Sequence, residues 1–112
     1  MKILFLGDVV GLSGCRKITN DLLGQIQKNN IDFVIINGEN ADDTGVGLTE
    51  EICKEFFMNG VNVVTTGNHV WDQKDIMNFI DNENRLLRPK NLFEPAPGKG
   101  FEIYKKKKNY KI

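Results

Sequence analysis

The chain is short of the residues that mark several protein classes. Its 112 residues include two cysteines, three prolines, one histidine and one tryptophan, and fifteen Lys and Arg balance fifteen Asp and Glu. The two cysteines, Cys15 and Cys53, fall in helical patterns beside apolar residues. They read as buried thiols of a reducing compartment, which excludes a disulfide framework. The apolar opening, residues 1–6, is too short for a secretory core and runs into Gly7-Asp8, and no later run could span a bilayer. A cytoplasmic protein with no membrane association is expected. A chain of this length suits one domain with one core.

The balanced charge is unevenly spread. Lys99, Lys105 to Lys108 and Lys111 face only Glu102 in the last fourteen positions, so the remainder is net acidic. A lysine run of this kind can attract RNA. It also stands between Phe101-Ile103-Tyr104 and Tyr110-Ile112 as the solvated turn of a hairpin would, with no aromatic ladder for stacking bases.

Three short apolar runs, Lys2 to Leu6, Phe33 to Ile36 and Val61 to Val64, lack strict polar alternation, as strands buried on both faces should. Helical stripes separate them: Ile18, Leu22, Leu23 and Ile26, then Leu48, Ile52, Cys53, Phe56 and Phe57. Thr49 with Glu50 and Glu51 has the form of an N-cap followed by first-turn acids, and Asn59-Gly60 ends that helix. A third helix is expected from Asp72, with Asp75 in its first turn and Ile76, Phe79 and Ile80 facing inward. Pro89, Pro95 and Pro97 make residues 82 to 100 irregular. The fold class is therefore α/β, a βαβαβ unit with a mainly parallel sheet and flanking helices. Tyr110-Lys111-Ile112 reads as a strand that begins and does not continue, which would leave sheet neighbours unpaired.

Each strand is followed by a polar loop: Gly7-Asp8, Asn37-Gly38-Glu39-Asn40 and Gly67-Asn68-His69. In a parallel sheet, loops at the carboxyl ends of the strands meet in one crevice. Asp8, Glu39, Asn40, Asn68 and His69 can converge there. Hard oxygen donors of this kind suit a pair of metal ions that hydrolyse a phosphoester through a bound hydroxide. Glu39 could bridge, Asp8 would be a terminal carboxylate, Asn40 and Asn68 would ligate without adding charge, and His69 could protonate the leaving oxygen. Taken singly, Asp8 also suits a turn or helix cap, Asn37-Gly38 an ordinary turn, His69 a structural hydrogen bond and Trp71 simple packing. Asp42, Asp43 and Asp72 suit loops and caps, although one could orient His69.

These motifs resemble the calcineurin-like metallophosphoesterase superfamily, and within it the YmdB-type cyclic-nucleotide phosphodiesterases. The resemblance rests on Gly7-Asp8-Val9-Val10-Gly11, Asn37-Gly38-Glu39-Asn40-Ala41 and Gly67-Asn68-His69, and covers the chain from its first residues. It departs from the wider superfamily at Val10, where a histidine would stand, and at Glu39, where an aspartate would. The resemblance implies the N-terminal part of a metallophosphoesterase α/β sandwich, with Asp8, Glu39 and Asn40 around one metal, Glu39 and Asn68 around the other, and His69 as the acid. It further implies two divalent or trivalent ions, iron or manganese, hydrolysis of 2′,3′-cyclic nucleotides or related small phosphodiesters, and a homo-oligomer at full length. The family's later histidine ligands have no counterpart, since His69 is the only histidine. The 112 residues thus read as one partial domain, truncated at the C-terminus and inactive alone.

Two other readings fit parts of the chain. A dinucleotide-binding Rossmann half would use Gly7, Gly11, Gly14 and Glu39, but Val9 breaks its glycine spacing and Asp8 would repel a pyrophosphate. A noncatalytic interaction module would use the basic hairpin or an open sheet edge.

Overall fold

The computed structural model describes residues 1–106 and 110–112. Four strands, β1 (Ile3–Leu6), β2 (Phe33–Asn37), β3 (Val63–Thr65) and β4 (Leu86–Leu87), form a sheet in the order β1-β2-β3-β4, parallel throughout. Helix α1 (Gly11–Asn29) joins β1 to β2, and α2 (Glu50–Met58) joins β2 to β3. The single turn α3 (Ile76–Phe79) lies between β3 and β4, and a two-stranded ribbon, β5 (Lys105–Lys106) with β6 (Tyr110–Lys111), follows.

Register decides where each side chain points. Pairing of Leu4 with Val34, Leu6 with Ile36 and Val64 with Leu86 lines these residues along the helix-covered face. There they join Ile18, Leu22, Cys53 and Phe56 in one core, where Ile36, Cys53, Phe56, Val64 and Leu86 are fully buried. Burying each such side chain contributes roughly 1.5 to 3 kcal/mol. Both cysteines are free and buried, and burial pushes each thiol above its ordinary pKa. Helix α2 begins as its sequence implies: Thr49 Oγ1 accepts from Ile52 N–H at 3.2 Å, and Glu50 and Glu51 occupy the first turn.

Several expectations are corrected. β1 is an edge strand buried on neither face in full, with Ile3 46% and Phe5 60% exposed. Leu23 of α1 faces solvent, while its neighbours Leu22 and Ile26 carry the packing. The third helix starts at Ile76 instead of Asp72, since residues 69–75 are held in turns by contacts to the loop after β2. The stretch 82 to 100 is not wholly irregular: Leu86 and Leu87 add β4, drawn in when Val64 N–H donates to Arg85 O at 2.8 Å and Thr66 N–H to Leu87 O at 3.0 Å. The last residues do not hang as an unpaired strand, because β6 turns back on β5 and Tyr104 and Ile112 exchange two backbone hydrogen bonds at 2.9 Å. Of the lysine run expected to form a hairpin turn, Lys105 and Lys106 belong to β5, and residues 107–109 lie outside the described residues. No helix among the described residues is long and apolar enough to cross a membrane.

Candidate active site

The three polar loops meet at the carboxyl edge of β1, β2 and β3, joined first by backbone. Val9 N–H donates to Asn37 O at 3.1 Å and Gly11 N–H to Asn40 O at 2.9 Å, tying the first loop to the second. Gly38 N–H donates to Thr65 O at 2.9 Å, tying the second to the third. In-register parallel strands bring these loop ends to one level, so residues about thirty apart become neighbours.

Side chains then close the crevice. Asn40 Nδ2 donates to Asp8 Oδ2 at 2.9 Å, a bond that leaves the amide oxygen of Asn40 available as a donor to a cation. Asn37 Nδ2 donates to Glu39 Oε2 at 3.3 Å. Glu39 lies flat against the backbone of Gly67: a Cβ there would stand 1.8 Å from Oε2 and 2.5 Å from Oε1. Glycine at position 67 is therefore a condition for Glu39 to occupy its place. Asn68, the next residue, is exposed. His69 does not join this group by hydrogen bonding; its Nδ1 lies 2.7 Å from Asp72 Oδ2.

Neither Asp8 nor Glu39 has a cationic side chain within ion-pair distance among the described residues. Two uncompensated carboxylates beside neutral amide oxygens form a donor set suited to hard cations. Among the described residues no group of three or more His, Cys, Asp and Glu side chains could hold a metal ion. A cation here would depend on the amides as much as on the acids.

Asp42, one of the three loop aspartates, has a different task. Burial pushes its carboxyl up, but hydrogen bonds from the Thr44 hydroxyl at 2.7 Å and the Thr44 amide at 3.1 Å outweigh that and hold it below the ordinary range. It pins the loop after β2. Of the three aspartates that could orient His69 the structure selects Asp72; it gives Gly67 a close-approach role that its motif does not explain, and it adds Gln73, which reaches across to Val46 and which sequence reasoning misses.

A parallel α/β sheet whose first three strands each deliver a polar loop to one crevice defines the class: an α/β protein with its site at the carboxyl edge of the sheet. Within that class the chain belongs to the family described as YmdB-like protein, whose profile matches residues 4–112. It is 45% identical over 106 residues to the 2',3'-cyclic-nucleotide 2'-phosphodiesterase of Bacillus subtilis, a match covering 94% of this chain and 39% of that protein. It is 40% identical over 92 residues to a putative phosphatase/phosphodiesterase of Mycoplasma pneumoniae, covering 82% and 32%. The crystal structure of a novel phosphatase from Mycoplasma pneumoniae superposes with a TM-score of 0.85 at 36% identity, over 94% of this chain and 38% of that one. The chain thus spans about 32 to 39% of the length of these proteins.

Proposed function

We propose that these residues form part of a metal-dependent phosphodiesterase that hydrolyses 2′,3′-cyclic nucleotides. The observation that carries the reading is the joining of the three loops, Asn40 bonded to Asp8 and Glu39 seated against Gly67. The name of the Bacillus subtilis relative supports the substrate class. Asp8, Glu39, Asn40 and Asn68 would hold two ions, iron or manganese. Bound there, the ions would supply Lewis acidity toward the phosphoryl oxygens and lower the pKa of an attacking water. Asp8 and Glu39 set the negative charge of the crevice, the amides complete it without adding charge, and His69 delivers a proton to the ribose oxygen as it leaves phosphorus. The Rossmann reading finds no support: Asp8 and Glu39 occupy the crevice a pyrophosphate would need.

The test is a chimera in which residues 4–112 replace the matching segment of the Bacillus subtilis relative, assayed with manganese on 2′,3′-cyclic AMP by product chromatography. It should turn over substrate, and Asn68→Ala should reduce turnover about a hundredfold or more, beyond the cost of losing a group that only supports a ligand. A folded, metal-loaded chimera without activity, or an Asn68→Ala variant with full activity, would overturn the reading.

A further inference from the structure

We infer that Asp72 is the positioning residue for His69, and that Gln73 and the bare backbone of Gly47 register this pair on the loop that carries Glu39 and Asn40. The inference rests on the proposed role of His69 as the acid and extends it to residues outside the motifs.

Three observations carry it. The first is the contact itself. His69 Nδ1 and Asp72 Oδ2 are 2.7 Å apart, at the short end for a nitrogen to carboxylate hydrogen bond, and Asp72 N–H closes the same turn on His69 O at 3.2 Å. A carboxylate only accepts, so Nδ1 must carry the proton and Nε2 is the nitrogen left to exchange one with substrate. Among the described residues Nε2 makes no hydrogen bond.

The second is the bridge from this turn to the loop after β2. Gln73 Nε2 donates to Val46 O at 3.0 Å, and it lies 3.5 Å from Thr44 Oγ1. The third is Gly47. It adopts φ +84°, and a Cβ there would meet Gln73 Cγ at 2.8 Å and Asp72 Cβ at 3.3 Å. Its own amide donates to Glu39 O at 2.6 Å, and its carbonyl accepts from Asp42 N–H at 2.9 Å. One glycine therefore touches the backbone of Glu39 on one side and the side chains of Asp72 and Gln73 on the other. The acid and the carboxylate of the crevice are held in one frame, although thirty residues separate them in sequence.

A turn aspartate with no part in the reaction would make the same bond, so the test needs readouts that a structural role would not move. His69 is the only histidine, so histidine labelled with ¹⁵N gives one imidazole, free of overlap. In the 112-residue chain the ¹⁵N shifts should report the Nδ1–H tautomer. Asp72→Ala and the near-isosteric Asp72→Asn should move the population toward Nε2–H. In the chimera, Asp72→Ala should lower kcat on 2′,3′-cyclic AMP about 10- to 100-fold with KM little changed. On an aryl phosphodiester, whose nitrophenolate departs without a proton, the loss should shrink to a few-fold. Asp72 is 41% exposed at its side chain, so neither variant removes core packing.

An unchanged tautomer in both variants, or an equal loss on the two substrates, would overturn the role of Asp72. An inactive parent chimera would instead overturn the reading of His69 as an acid, whatever the tautomer.

Discussion

Two glycines show how differently one missing methyl group can act. Gly24, on the exposed side of α1, has no atom within 4 Å of where a Cβ would sit, whereas a Cβ on Gly67 would lie inside the Glu39 carboxylate. Gly67→Ala must push Glu39 out of the crevice. It should weaken manganese binding to the chimera at least tenfold by titration calorimetry while the far-ultraviolet spectrum stays unchanged. Gly24→Ala is the control: it should leave metal affinity alone and raise stability by about 0.4 to 1 kcal/mol. The motif Gly67-Asn68-His69 was legible in the sequence, but the reason for its glycine was not. That reason is a contact with Glu39, twenty-eight positions away, which no local pattern encodes.

At the scale of elements, β1, β2, β3, α1 and α2 follow from apolar spacing and caps, because each carries its own periodic signal. β4 carries none. Two leucines among polar residues become a strand only because β3 offers an open edge. The approach to β4 is fastened by Glu83 and Arg85, whose side chains meet at 2.7 and 2.8 Å, with the guanidinium 3.8 Å over the Phe57 ring. The hydrogen bond from Arg85 holds the Glu83 carboxyl below the ordinary glutamate range against the opposing effect of burial. A carboxyl whose folded pKa lies below its unfolded one adds stability that is complete above the unfolded value and lost as pH falls through the folded one. Glu83→Gln should therefore be less stable than the parent near neutral pH, and the difference should vanish in acid, below the carboxylate range. Arg85 is nearly half exposed, so solvent screening keeps the difference to about 1 kcal/mol or less. Urea melts at the two pH values would measure it.

For the molecule as a whole, the two faces of the sheet are unequal. The helix-covered face is closed over β2, β3 and β4 but gapes at β1, while on the other Phe33 is covered by Tyr104 at a ring separation of 5.8 Å and Ile3 and Phe5 stay open. A groove of about 760 Å³ beside them, between β1 and α1, is lined by Leu4, Leu6, Ile18 and Leu22 and by none of the candidate site residues. Open apolar surface next to an unpaired strand edge favours association. The 112-residue chain should sediment with concentration-dependent mass, and Phe5→Ser should reduce that dependence; a monodisperse parent would contradict the expectation. The sequence by itself determined the order of strands and helices, the parallel sheet and the three polar loops at its carboxyl edge, since these follow from local periodicity and from the position of each loop after its strand. Only the tertiary structure decided that β1 lies at the edge with Ile3 and Phe5 uncovered, that Leu86 and Leu87 form a fourth strand, that Gly67 makes room for Glu39, and that Asp72 and not Asp42 meets His69. Apart from the His69–Asp72 turn, which spans three residues and is seated against the loop after β2 through Gln73 and Gly47, each of these depends on segments far apart in the chain, and its free energy exists only once they have packed.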